Sequence, residues 1–134
     1  MGLINKFFKS ARDIAKDEID AVPWTDIDSS ASLDAIWKAS NKRPQLIFKH
    51  STSCGISRMA MKQFEQVYRN HSATLDVHYL DLLSHRDLSR EIATRSNITH
   101  ESPQVIVLDS GNVVYSDSHH GIDLERILNQ LGQG

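Results

Sequence analysis

The stretch QLIFKHSTSCGISRMAMKQF, residues 45–64, reads as a strand, a short polar turn and a helix, with the chain's single cysteine at the joint. Leu46, Ile47 and Phe48 follow one another without a polar break, as in a strand covered on both faces. Beyond Cys54 the apolar positions Ile56, Met59, Ala60, Phe64 and Val67 recur at spacings of three and four. That spacing predicts an amphipathic helix packed on a sheet. Met59 and Met61 are expected to pack there rather than to bind metal. The strand ends at Lys49 or His50, so the sulfur of Cys54 should stand at a helix N-terminus.

Working outward, residues 24–27 form a short candidate strand, and a helix follows with Ser32 as its cap and Leu33, Ile36 and Trp37 at helical spacing. A turn at residues 41–44 leads into the strand already described. A further strand is expected over 75–82, a helix over 85–96 with Leu88, Ile92 and Ala93 inward, and a buried strand over 105–108. The turn Asp109-Ser110-Gly111-Asn112 joins that strand to Val113, Val114 and Tyr115 as a hairpin. Leu124, Ile127, Leu128 and Leu131 mark the last helix. The order β-α-β-α-β-α-β-β-α predicts an α/β thioredoxin-like fold, a central mixed sheet flanked by helices.

Two organisational units are expected. Residues 1–22 form an amphipathic, helical appendage and residues 23–134 the thioredoxin-like domain, with Pro23 at the boundary. Ile4, Phe7, Phe8, Ala11 and Ile14 or Ala15 share one helical face, with Lys6, Lys9, Arg12 and Lys16 mostly off it. A helix that docks or frays is the expectation, and membrane contact the less favoured alternative. Gly2 is no myristoylation signal, because Lys6 stands where Ser or Thr is needed. The start also lacks the apolar run and cleavage site of a secretory signal.

At 134 residues, 40% hydrophobic and 24% charged, the chain can bury one ordinary core. Fifteen Lys plus Arg against seventeen Asp plus Glu give a net charge of -2, which argues against a nucleic-acid binder. One cysteine can build neither a disulfide framework nor a four-cysteine metal site. A reducing, cytoplasmic compartment and a monomer are expected.

The chemistry centres on Cys54. At a helix start the unpaired N–H groups of Ile56 and Ser57 would favour thiolate over thiol, and Gly55 leaves the sulfur sterically open. Thr52, Ser53, Gly55 and Ser57 make the surroundings small and polar, which argues for exposure over the alternative of an inert, buried cysteine. Lys49, His50 and Arg58 are near enough in sequence to add positive potential. Ser57 stands where a second cysteine would close an internal disulfide. Cys54 can therefore attack a disulfide sulfur and stay joined to the group that carries it, but an outside thiol must then release that group. The Ser57 hydroxyl could donate to the thiolate or be a plain first-turn residue.

In this topology the loop before the fourth strand carries a cis proline facing the cysteine, and Ser102-Pro103 occupies that place. The Ser102 backbone would then pair with an extended substrate; the alternative is an ordinary strand-start proline. His119 and His120, in DSHHGID, either contact a small anionic thiol or are surface histidines. The helix start after Gly121 could hold a carboxylate. No zinc-ligand spacing is present, and no metal is expected.

With these residues placed, the chain from about Trp24 onward resembles the monothiol bacilliredoxins, the thioredoxin-like YtxJ family of the bacillithiol system. The resemblance is carried by IFKHSTSCGIS, HRDLSREIA, HESPQVIVL and SHHGI, in that order. It implies a thiol–disulfide oxidoreductase in which Cys54 takes bacillithiol from S-thiolated client proteins. It further implies a low-molecular-weight thiol, or a bacilliredoxin reductase, as the regenerating partner. Bacillithiol is then a co-substrate, and no tightly bound cofactor is expected. One departure is Gly55, where the family's better-known site has proline. Cys-Gly-Ile-Ser is similar to the Cys-Gly-Phe-Ser of monothiol glutaredoxins, so an iron–sulfur cluster carrier is the alternative. A non-catalytic thioredoxin-like adaptor and a peroxide reductase are the others; the last lacks the Thr expected where Ser51 stands.

Overall fold

The computed structural model describes residues 21–71 and 73–133. The helical appendage expected over residues 1–22 lies, except for Ala21 and Val22, outside the described residues. The elements are β1 (Thr25–Asp26), α1 (Ser30–Ala39), β2 (Gln45–His50), α2 (Gly55–Arg69), β3 (Asp76–Asp81), α3 (Arg86–Ser96), β4 (Gln104–Asp109), β5 (Asn112–Ser118), a 3-10 turn (His119–Gly121) and α4 (Leu124–Gln130).

The sheet order is β1-β3-β2-β4-β5. β1 and β2 run parallel to β3, β4 runs antiparallel to β2, and β5 antiparallel to β4. This is the mixed sheet expected from the element order. All six residues of β2 are buried, because it is the central strand with helices over both faces.

Alternation along the strands divides the core in two. Leu46, Phe48, Val105 and Val107 point to the layer of α2 and α4, where they meet Ala60, Phe64, Leu124 and Ile127. Ile47, Ile106 and Leu108 point the other way, against Leu33 and Ile36 of α1 and Leu88 and Ile92 of α3.

Two local expectations are corrected. The cap of α1 is Ser29 rather than Ser32: its side chain accepts from the Ser32 N–H at 3.2 Å, while the Ser32 hydroxyl donates to Asp28. In α2 the buried stripe is Ser57, Ala60, Met61 and Phe64, whereas Ile56 and Met59 are exposed at 46% and 59%. Met61 packs as expected; Met59 does not. The inward position near the helix start belongs to a serine, for a reason given by its hydrogen bonds below.

Candidate active site at the carboxyl ends of β2 and β3

β2 and β3 end at the same edge of the sheet. β4 starts there and β5 finishes there, because Lys49 pairs with Gln104 and Gln104 with Ser118. The loops that meet at this edge include residues 51–54, residues 82–85, residues 99–103 and the 3-10 turn at 119–121. The Ser102–Pro103 peptide is cis, as the sequence led us to expect. The Pro103 carbonyl accepts from the His119 N–H at 3.0 Å, which ties the 3-10 turn to the proline loop.

Cys54 is the N-cap residue of α2, in extended conformation, and is partly exposed. A tight turn holds it, with the Cys54 N–H donating to the Ser51 carbonyl at 3.2 Å and the Arg58 N–H donating to the Cys54 carbonyl at 3.0 Å. Its side chain makes no capping hydrogen bond, so the expected donation from the N–H groups of Ile56 and Ser57 to sulfur is not formed in this structure. Ser53 and Ser51 share a hydroxyl contact at 3.3 Å, and the Thr52 carbonyl accepts from the Arg58 guanidinium at 3.1 Å. A Cβ on Gly55 would meet only the end of the Arg58 side chain, at 3.9 Å, so the sulfur's helical neighbour is sterically open.

Ser57 is wholly buried. Its Oγ accepts from the Ser51 N–H at 3.0 Å and lies 2.6 Å from Nδ1 of His50. Burial holds His50 below the ordinary histidine range, with Asp81 and Glu65 pulling the other way. The Ser57 hydroxyl and His50 Nδ1 share a hydrogen bond. The serine hydroxyl is thus engaged inward, and among the described residues no hydrogen bond reaches the Cys54 sulfur from it.

The three basic neighbours of Cys54 separate. Arg58 caps the turn and His50 packs between Phe48 and Tyr79 on the α2 side. Lys49 turns to the α3 side, fully buried, with Nζ 3.2 Å from the Ser89 carbonyl and 3.3 Å from Nδ1 of His100. Desolvation pulls the Lys49 ammonium down to about 8. Sequence reasoning placed Lys49 and His50 only as nearby charge. Their internal pairing was signalled by two polar residues closing a strand buried on both faces, where each must find a partner.

The two loop histidines also separate. His119, with φ of +54°, points Nδ1 towards Glu101 at 3.8 Å, and Glu101 accepts from the Ser118 hydroxyl. His120 instead lines a hollow between α2 and α4 with Gln63 and Val67. The carboxylate site expected at the start of α4 is filled by the chain itself: Asp123 accepts from the N–H groups of Glu125 and Arg126. The Ser102 hydroxyl is shielded from solvent and has no hydrogen-bond partner among the described residues. Among the described residues no group of three or more His, Cys, Asp or Glu side chains converges to hold a metal ion, and no helix is long and apolar enough to cross a membrane.

The arrangement offers one partly exposed thiol at a helix start, a cis proline loop at the same sheet edge, and no second thiol. It can form one mixed disulfide and cannot close an internal one. Residues 25–127 match the family described as monothiol bacilliredoxin BrxC. Among solved structures, a thioredoxin-fold protein provisionally described as an oxidoreductase superposes with a TM-score of 0.70 at 27% identity, over 79% of this chain and 91% of that one. Thioredoxin from Malassezia sympodialis gives 0.60 at 17% identity, over 82% and 89%. Thioredoxin from Trypanosoma brucei brucei gives 0.61 at 16%, over 81% and 88%.

Proposed function

The chain belongs to the monothiol bacilliredoxin family of thioredoxin-fold thiol oxidoreductases, and on that premise we propose that it removes bacillithiol from protein mixed disulfides through Cys54. The Cys54 thiolate attacks the bacillithiol sulfur of the mixed disulfide. The bond from that sulfur to the client breaks, and the client leaves as a thiolate. Cys54 is left joined to bacillithiol. A second small-thiol thiolate, or a reductase, then attacks this disulfide and returns Cys54 to the reduced state.

The observation that carries this reading is the pairing of a partly exposed cysteine at a helix start with Ser57 three residues on, its hydroxyl buried against His50. Such a site takes up one small-thiol group and hands it only to an outside thiol. The cis Ser102–Pro103 peptide, at the same sheet edge as Cys54, offers an extended client backbone a place to pair. Ile56 and Met59, exposed on the first turns of α2, supply apolar contact for that client. The cytoplasm, where thiols are kept reduced, is the compartment this chemistry requires.

The test is release of client thiol from a bacillithiolated protein, followed for the wild type and Cys54→Ala. The proposal expects release with the wild type alone. Equal rates from the two proteins would rule it out.

A further inference from the structure

A second feature of the reactive edge lies on the α3 side of the sheet. Leu82, Leu83, Arg86, Ser89, Arg90 and His100 enclose a cavity of about 300 Å3. Leu82 and Leu83 follow β3, and His100 precedes β4. β2 lies between those two strands and ends at His50, four residues before Cys54, so a cavity walled by both loops lies at that end of β2. The Leu82 N–H donates to the His50 carbonyl at 3.0 Å, which fixes one wall to the residue where β2 ends. Behind the other wall, Lys49 holds Ser89 and His100 in place.

The charge of this cavity is one-sided. It is lined by two guanidinium groups and no carboxylate. Arg43, Arg95 and Arg126 each face a carboxylate, whereas Arg86 and Arg90 make no ion pair among the described residues. Asp81, the last residue of β3, is turned to the Leu83 N–H and the Ser84 hydroxyl. The buried Lys49 adds a third positive group behind the lining. The remaining lining is Leu82 and Leu83, the latter exposed at 45%, with Ser89 and His100. An unbalanced basic rim around an apolar floor suits an amphipathic anion.

We propose that this cavity holds the carboxylate-bearing part of the small thiol while its sulfur is joined to Cys54, with Arg86 and Arg90 as the ion-pair partners. The proposal rests on the exchange reaction above and names the residues that would select its small thiol. The walls from Leu82 and Leu83 cover the uncharged part of the same molecule.

The test compares wild type with Arg86→Gln/Arg90→Gln on two substrates, one client peptide carrying bacillithiol and the same peptide carrying 2-mercaptoethanol. The expected result is a rise in KM of about fivefold for the bacillithiol peptide with kcat little changed, and no change for the uncharged adduct. Lys38→Gln, a charge loss on α1, should behave as wild type on both. An equal effect on both substrates, or none on either, overturns the subsite. A second measurement is independent of turnover: S-methyl bacillithiol, which cannot exchange, should bind the wild type about fivefold more tightly than the double variant. Equal affinities overturn the subsite. Absence of turnover with that affinity difference intact overturns the exchange reaction alone.

Discussion

Ser57 Oγ lies 2.6 Å from Nδ1 of His50 and 3.0 Å from the Ser51 nitrogen, so the residue that replaces a second cysteine is part of the interior. Ser57→Ala leaves a buried N–H and a buried imidazole nitrogen without their partner, and should cost about 1–3 kcal/mol by urea denaturation. Ser57→Cys should lose a smaller part of that stability and gain a resolving thiol. Incubated with a thiolated client and no free thiol, this variant should release the small thiol and end two mass units lighter than its reduced form. The wild type under the same conditions should keep the adduct.

Lys49 gives the protein a distinctive response to alkali. Its ammonium titrates near 8 in the folded protein and at 10.5 as the ordinary value. Above 8 the unfolded chain therefore binds more protons than the folded one, and stability rises with pH, by up to about 1.4 kcal/mol per pH unit. Tyr68, Tyr79 and Tyr115 are held above their ordinary range, so their opposing effect begins only above that of free tyrosine. Urea midpoints between pH 7.5 and 9.5 should thus climb for the wild type and stay flat for Lys49→Met.

Acid acts on the histidines. His50, His78 and His100 are all held below the ordinary value of 6.5, in each case chiefly by burial. Between the folded and the ordinary value the unfolded chain again binds more protons. Stability present above 6.5 is therefore lost as pH falls below it. The urea midpoint should drop between pH 7 and pH 5, and the drop should be smaller in His50→Gln than in the wild type.

Gly55 is the first helical residue of α2, and its Cβ position is open. Proline suits that position, since the N–H it removes has no intrahelical partner. Gly55→Pro should raise stability by about 0.4–1 kcal/mol through the unfolded chain. It should leave exchange at Cys54 within a few-fold of wild type. A large loss of exchange would show that glycine's freedom is used in the reaction.

The sequence exposed the fold through β2 and β4, whose unbroken apolar runs, with the helical spacings between them, mark the element order of a thioredoxin-like sheet. It also placed the cysteine at a helix start and the cis peptide at Ser102–Pro103. Counting apolar residues failed at Ile56 and Met59, because a polar side chain can occupy the inward position when two buried groups satisfy it, as His50 and Ser51 do for Ser57. The cap of α1 was misplaced by three residues within a serine-rich run, where several hydroxyls compete for the same N–H groups. The basic cavity was invisible, since its walls come from loops after β3 and before β4 that meet only across β2.

The central claim is that Cys54 takes the small thiol and cannot unload it alone. The direct measurement is the intact mass of the protein after mixing with one equivalent of a bacillithiolated client and quenching in acid, with peptide mapping of the adduct. The account predicts one bacillithiol on Cys54, a reduced client, and an adduct that persists until free thiol is added. A reduced client alongside unmodified Cys54, or an adduct that disappears without added thiol, would contradict it.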